Sequence, residues 1–378
     1  MIRLYRECDI KNIVALELET LGTTLGEEML KNDLSNHFAH YYVYLDGNAL
    51  VGYISLNFDG FQAEILNFCV KKEYQGKGIG TKLISYAINI LHSKGAESFI
   101  LEVREHNINA IKLYEKLGFK QISRRKEYYS NKEDALVLLK QMVLYEDLEE
   151  AYITTFSKKE VYDNYIYYHD DKLKEKYYHN FYMCDNDDNI MKSLYDREGF
   201  IMFLLKHPYT GNLKFSFFDN HVEYHSCIYG INILRKKDYK VKKLGINDRC
   251  ELYNFLYKDS SVYGLEYAKL NAKREVEVAL DLGKTSWYFV YDGNKPVGFI
   301  CSFIYLDSAK LEDFVILDEY QKKGYGSTLF SFVIEELKSM GIHDIYLTAD
   351  LDDTPKVMYE KMGFTEVGRN YIVREVFK

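Results

Sequence analysis

The chain has 378 residues, 47% of them apolar and 16% aromatic, with only three prolines, which excludes a disordered or fibrous protein and points to two or three globular domains. A formal net charge of −8, with Lys and Arg interleaved among acids, gives no basic stripe and argues against a nucleic-acid partner. No apolar run is long enough for a signal peptide or a bilayer span, and Cys8, Cys69, Cys184, Cys227, Cys250 and Cys301 form no C-x-x-C pair, so the expectation is a cytoplasmic protein without membrane partner, metal site or disulfide framework.

In chain order, "MIRLYRECDIKNIVALELE" reads as an opening strand followed by a helix, and "FQAEILNFCV" has the composition of a strand. The glycine-bearing stretch "EYQGKGIGTKL" begins at Glu73, and the helical periodicity of "TKLISYAINILHSKG" runs to a stop at Gly95. Next come a strand in "ESFILEV" and a helix in "NINAIKLYEKLG", ended by Gly118. Residues from about Leu148 to Lys237 are tyrosine-rich and charged but lack the Gly, Ser and Pro of a flexible linker. The runs "EGFIMFLLKH" and "GNLKFSFFD" predict strands there, so this region is expected to be folded and packed on the C-terminal part of the chain. "DYKVKKLGINDRCELYNFLYK" then opens a second strand and helix. "AKLEDFVIL", "EYQKKGYGSTL" from Glu319, "STLFSFVIEELKSMG", "DIYLTAD" and "TPKVMYEKMG" repeat the earlier order. Two matches in the same order and at nearly the same interval, the glycine stretch and then "LYEKLGF" against "MYEKMGF", indicate a duplicated fold. The expected domains are 1–147, an intervening α/β region 148–237, and 238–378.

The element common to both copies is Q-x-x-G-x-G between a strand and a helix: Gln75, Gly78 and Gly80, then Gln321, Gly324 and Gly326. Glycines let the backbone curl so that successive N–H groups converge, and a helix start adds partial positive charge, which together suit phosphates. The spacing is wrong for a dinucleotide fingerprint, and Lys77 precedes the loop glycines rather than following them as a P-loop requires. A bare tight turn is the remaining alternative for one occurrence, and recurrence with the same flanks argues against it.

Strand, Q-x-x-G-x-G loop, helix, strand, and a helix carrying N-x-x-A-x-x-x-Y-x-x-x-G-F-like residues resemble the GCN5-related N-acetyltransferase superfamily. That resemblance implies tandem α/β folds, each a mixed, mostly antiparallel sheet flanked by helices and splayed where acetyl-CoA binds. By it, Phe68, Cys69 and Val70 would meet the pantetheine arm, and Gly76, Lys77, Gly78, Ile79, Gly80 and Thr81 the pyrophosphate, with Gln75 in the loop. In the second copy Ile316, Gln321, Lys322, Lys323, Gly324, Tyr325, Gly326 and Ser327 would do the same. Through "ILNFCVKKEYQGKGIG", "LEVREHNINAIKLYEKLGF" and "RRKEYYSNKEDALVLLK", the first copy is also similar to the ribosomal-protein-alanine N-acetyltransferases. A protein or peptide N-terminus is therefore the implied partner, a ribosomal protein among the possibilities.

Acetyl transfer needs an unprotonated amine and somewhere for its proton to go. Alternation in "SFILEVR" puts Ser98, Ile100, Glu102 and Arg104 on one strand face. Read alone, Glu102 is a paired or solvated surface acid; the resemblance makes it the general base. By the same resemblance Tyr114 is the acid for the departing sulfur, against a packing role for its ring, and Asn107 lies near the coenzyme arm, against a helix cap. Glu64 is the reserve base, Arg125, Tyr128 and Tyr129 are acceptor-groove candidates, and His106 reads as a surface residue. Aligning Tyr359 with Tyr114 puts Leu347 at the position of Glu102, Asp352 at that of Asn107 and Thr354 at that of Asn109, so the second copy lacks that base. Glu312 is the substitute expected there, with Asp313 and Asp350 nearby and Tyr359 as the acid. The alternatives are a small-amine acetyltransferase acting on a polyamine, amino sugar or antibiotic, with a small amine at the second site, and a second copy that senses acyl-CoA without turnover.

Overall fold

In a computed structural model of the protein, residues 1–194, 199–233, 237–351 and 355–376 are described. They form two compact units: Met1–Leu144 with His225–Asn232 and Gly363–Val367, and Tyr145–Tyr224 with Ile233–Met362 and Gly368–Lys378. Most of the intervening region 148–237 falls in the second unit.

The first unit runs β1 (Ile2–Leu4), α1 (Ile10–Leu21), α2 (Glu27–Asp33), β2 (Ala39–Asp46), β3 (Ala49–Phe58), β4 (Gln62–Val70), α3 (Ile79–His92), β5 (Ser98–Arg104), α4 (Ile108–Lys116), β6 (Lys120–Arg125) and β7 (Ala135–Gln141). Its sheet has the order β1-β2-β3-β4-β5-β7-β6. On α3, Leu83, Ile84, Ala87, Ile88 and Leu91 are fully buried against this sheet. Each large side chain among them is worth about 1.5–3 kcal/mol on removal from water, so this helix start is firmly positioned. β4 and β5 are parallel and pair only over Gln62–Ile65 and Ser98–Leu101; beyond that point they part. The parting coincides with a bulge at Leu66, since Ile65 pairs with Leu56 while Asn67 already pairs with Ser55.

The second unit contains α5 (Tyr145–Ile153), β8 (Lys158–Val161), β9 (Tyr165–His169), β10 (Phe181–Cys184), α6 (Asp188–Ser193), β11 (Phe200–Leu205), β12 (Phe217–Cys227, apart from its last three residues), β13 (Lys240–Lys243), α7 (Arg249–Ser260), α8 (Leu265–Val276), β14 (Thr285–Asp292), β15 (Lys295–Tyr305), β16 (Ser308–Ile316), α9 (Tyr325–Ser339), β17 (Asp344–Asp350), α10 (Pro355–Met362) and β18 (Thr365–Val376, apart from its first three residues). The strand order is β13-β14-β15-β16-β17-β12-β18-β11-β10-β9-β8. β16 and β17 repeat the parallel pairing and the parting, here after Leu311 and Leu347. Between β17 and β18, where the first sheet inserts the later strand β7, the second inserts β12 from upstream.

The strand expected in "GNLKFSFFD" begins only at Phe217 and continues to Cys227. Side chains take the backbone donors before it: Asn212 N–H donates to Asp188 Oδ2 at 2.7 Å and Leu213 N–H to the Tyr209 hydroxyl at 2.7 Å. No ladder can form through donors already committed.

Candidate active sites

After β4, Gln75 Nε2 donates to the Val70 carbonyl at 3.0 Å and fastens the loop to the strand end. Gly76 (φ +71°) and Gly78 (φ +77°) turn the chain through the left-handed region, and Gly78 caps α3 without any side-chain hydrogen bond. The first N–H groups of α3 therefore face outward with no intrahelical partner, a fit for an anionic group. A Cβ on Gly80 would lie 3.0 Å from Phe68 Cζ and 3.2 Å from Leu113 Cδ2, so only glycine lets the helix start approach β4 this closely. Ile79, Cys69 and Val70 are buried beneath the loop, whereas Lys77 is exposed and Thr81 half-buried above it.

Glu102 is the first residue of β5 past the parting of the strands. Its carboxylate is ion-paired with Arg125 (Nη1 to Oε1, 2.9 Å). The hairpin that carries Tyr128 and Tyr129 is itself held: Glu133 accepts from Arg104 at 2.9 Å, Asp134 accepts from Arg124 at 2.6 Å, and the Arg104 guanidinium lies 3.8 Å from the Tyr129 ring centroid. Glu64, by contrast, sits exposed in the paired stretch before the parting. His106 is exposed and meets Glu133 at 3.2 Å. Asn107 is the N-cap of α4, its side chain accepting from the Ala110 N–H at 3.3 Å. Tyr114 is 6% exposed, packed edge-on to Phe68 and Phe119 with ring centroids 6.3 and 5.6 Å away. Burial pushes its hydroxyl pKa up, so the group stays protonated at neutral pH.

The second cradle repeats the first with one change. Gln321 Nε2 donates to the Ile316 carbonyl at 3.1 Å, Gly324 (φ +101°) caps α9 without a side-chain hydrogen bond, and Gly326 has Phe314 Cζ 3.3 Å from its Cβ position. Lys322, however, holds φ +59° where Gly76 stood. Around this loop the Lys323 ammonium lies 5.4 Å from the Tyr320 ring, Tyr325 stacks on Tyr239 at 3.8 Å, and Ser327 is half-buried on α9.

Strand register corrects the alignment made by eye. Ile65 pairs with Leu101 and Leu311 with Leu347, so Leu347 matches Leu101, and Thr348 stands where Glu102 stands. Tyr359 lies one residue nearer the end of β17 than Tyr114 lies to the end of β5, so equal spacing from the two tyrosines does not give equal strand positions. Asp352 and Thr354 lie outside the described residues. Thr348 is hydrogen-bonded to Tyr145, and Glu312 is ion-paired with Lys310, which occupies the register position of Glu64. Tyr359 is 6% exposed, as Tyr114 is. Where β16 and β17 part, a pocket of about 270 Å³ opens, lined by Glu312, Asp313, Thr348 and Asp350 on these strands and by residues of 145–224 opposite.

The family model described as "Acetyltransferase (GNAT) family" matches residues 8–119 and 251–364. The chain belongs to the GNAT family of acetyltransferases. That makes it an N-acetyltransferase, with a first copy similar to ribosomal-protein-alanine N-acetyltransferases. A Bacillus subtilis relative provisionally named a [ribosomal protein bS18]-alanine N-acetyltransferase is 32% identical over 139 residues, 36% of this chain and 92% of the relative. An N-alpha-acetyltransferase of Saccharolobus solfataricus is 31% identical over 150 residues, 36% of this chain and 90% of that one. Among solved structures, the ribosomal-protein-S18-alanine N-acetyltransferase of Escherichia coli superposes with a TM-score of 0.36 at 23% identity, covering 38% of this chain and 94% of its own.

In the first GNAT copy, sequence reasoning missed Glu17. It is fully buried on α1, accepting from Thr24 Oγ1 at 2.7 Å, the Leu25 N–H at 3.1 Å and Asn67 Nδ2 at 2.6 Å, and so ties the α1–α2 turn to β4 beside its bulge. The signal was present, because Glu17 shares a helix face with buried Ile10 and Ile13. In the second copy the missed residues are Tyr145, Glu149, Tyr152, Lys176 and Tyr178, which precede the repeat in sequence and yet line its pocket. Asp219 and Asp350 both meet His221 Nε2, at 3.2 and 3.0 Å, an arrangement that one ring N–H satisfies. No helix among the described residues is long and apolar enough to cross a membrane.

Proposed function

We propose that the first copy transfers an acetyl group from acetyl-CoA to the free α-amine of a protein or peptide, a ribosomal protein being one such partner, in the cytoplasm. The observation that carries this reading is Glu102: it is the first residue beyond the parted strands and is ion-paired with Arg125. The names of the two relatives support an N-terminal acceptor.

Gly76 to Thr81 would hold the pyrophosphate through their N–H groups, and Phe68 to Val70, left unpaired by β5, would hold the pantetheine arm by strand addition. Bound there, acetyl-CoA supplies the acetyl group as a thioester. An α-amine has a pKa near about 8, so Glu102 can accept its proton, directly or through one water, without extreme tuning. Arg125 fixes the carboxylate so that it need not reorganise as the amine attacks. Tyr114, kept protonated by burial, donates to the departing sulfur.

Thiol release from acetyl-CoA tests this, comparing a peptide with a free N-terminus against the same peptide blocked. Turnover on the free peptide alone is expected. Glu102→Gln should lower kcat by roughly 10²–10⁴-fold while leaving the donor's KM within about threefold. Equal turnover on blocked and free peptides would remove the α-amine from the reading.

A further inference from the structure

We propose that the second copy is a separate acetyltransferase whose acceptor is a small cationic primary amine, seated in the pocket that residues 145–224 build against the parted strands β16 and β17, with Asp313 as its general base. The proposal rests on the acetyl-CoA chemistry above and adds the acceptor class and the base at the other site.

The size of the pocket limits the acceptor. About 270 Å³ is roughly nine waters' worth of space, enough for a small molecule rather than a folded segment. Its charge selects the sign: the carboxylates of Glu149, Glu312, Asp313 and Asp350 outnumber the ammonium groups of Lys176 and Lys310. The wall already holds one alkylammonium. Lys310, almost fully buried, is ion-paired with Glu149 and Glu312 and lies 4.5 Å from the Tyr152 ring centroid and 5.9 Å from that of Tyr145. Carboxylates with aromatic faces are the environment that a desolvated amine requires. Those same carboxylates hold Lys310 protonated and raise its pKa, so it serves as a wall rather than a nucleophile.

The pairing of Lys310 also decides which acid can act. Glu312 is held by the almost fully buried Lys310, whose charge its protonation would leave desolvated, whereas the Arg125 partner of Glu102 is exposed; Lys176 is committed to Glu275 at 2.6 Å. Asp313 makes no ion pair or hydrogen bond among the described residues, and its carboxylate is open to the pocket. It is the bulge residue: Glu312 pairs with Cys301 and Val315 with Phe299, and Asp313 is held at φ +50°. A left-handed aspartate at a bulge is costly local geometry that re-aims one side chain at the point where the strands separate. Crowding in the pocket and the charges of Glu275, Glu312 and Asp259 raise the Asp313 carboxyl pKa, against the pull of Lys176. A carboxylate with a raised pKa is a stronger proton acceptor than an ordinary one. In the step itself the amine nitrogen bonds to the acetyl carbon as the carbon–sulfur bond breaks. The ammonium first loses one proton to bulk water, the second passes to Asp313 as the amide forms, and the leaving thiolate is protonated by Tyr359; Asp313 then returns its proton to solvent, from which Tyr359 is reprotonated.

The test uses the full-length chain carrying Glu102→Gln, which silences the first site, and follows thiol release from acetyl-CoA with cadaverine, agmatine and phenethylamine. Saturable release with at least one amine is expected, lost by roughly 100-fold or more in kcat when Asp313→Asn is added. Asparagine tolerates the left-handed backbone, so this variant keeps the fold. Calorimetric binding of the amine without coenzyme should change less than about tenfold, and the acid limb of kcat/KM should disappear with Asp313. Unchanged turnover in Asp313→Asn overturns its role as base, and absence of both binding and turnover for all three amines overturns the pocket. If the unsubstituted chain releases thiol with neither peptide nor amine while the amines still bind, the acetyl-transfer reading and the base role fall together and the amine pocket stands.

Discussion

Tyr114 shows how far one residue's role can be read from its surroundings. Its ring packs like a core residue, and its raised pKa keeps the proton on the oxygen across the physiological range. Tyr114→Phe keeps the packing and deletes the proton, so kcat on the peptide should fall by roughly tenfold or more with donor binding spared; a fully active variant would limit Tyr114 to packing. Gly80 is the opposite case, where shape alone matters. Gly80→Ala puts a methyl 3.0 Å from the Phe68 ring, and overpacking of this kind costs about 1–3 kcal/mol. The expected outcome is a lower melting temperature together with weaker donor binding at the first site, read by thermal denaturation with and without coenzyme. These glycines were legible because they recur at fixed spacing. Gln75 was legible as a position, but its hydrogen bond to the strand end is a contact that no sequence spacing reveals.

At the scale of elements, the strands and helices around each cradle follow from periodicity and glycine stops, whereas register does not. Spacing from the helix tyrosine does not transfer into the strand, which is why Thr348, rather than Leu347, proves to be the counterpart of Glu102. Asp170 was hidden for a different reason: composition gives no sign that an acid is buried until its partners are known. Asp170, after β9, is 2% exposed and accepts from Arg274 Nε on α8 at 2.9 Å, from His179 Nδ1 at 3.2 Å and from the Lys172 N–H at 3.0 Å. These partners hold its carboxyl down at about 2 against the opposing effect of burial, while burial lowers His179 to about 4. Both shifts lie below the unfolded values, so both groups stabilise the second unit near neutrality and lose that contribution on acidification. The His179 part should go as pH falls from about 6.5 to 4 and the Asp170 part from about 4 to 2. Asp170→Ala leaves the buried Arg274 Nε without its acceptor, with Glu277 and the Phe156 carbonyl still holding the other nitrogens, and should cost roughly 1–3 kcal/mol at pH 7. Denaturant unfolding across pH checks both, since the variant should also lose the part of the slope below about pH 4.

At the scale of the whole chain, the duplication was plain in the sequence and the division into units was not. Two copies of one phrase suggest two self-contained domains with material between them, yet the second sheet places β12 between β17 and β18 and continues from β18 into β11, β10, β9 and β8. Spacing along the chain carries no information about a strand that arrives from upstream to fill the place a later strand fills in the first copy. The consequence can be tested by truncation. A fragment of residues 238–378 retains every motif of the second copy, but it leaves β17 and β18 without the strand between them and β18 without the β11 pairing of Phe200–Leu205 to Tyr371–Val376. Unpaired edges of this length on a hydrophobic sheet favour association over folding. The fragment should therefore be insoluble or lack a cooperative melt, whereas a fragment starting at Tyr145 should melt cooperatively, as judged by circular dichroism and size-exclusion chromatography. A soluble, cooperatively melting 238–378 fragment would mean that β17 and β18 can close on each other, and that residues 145–224 serve the acceptor pocket alone.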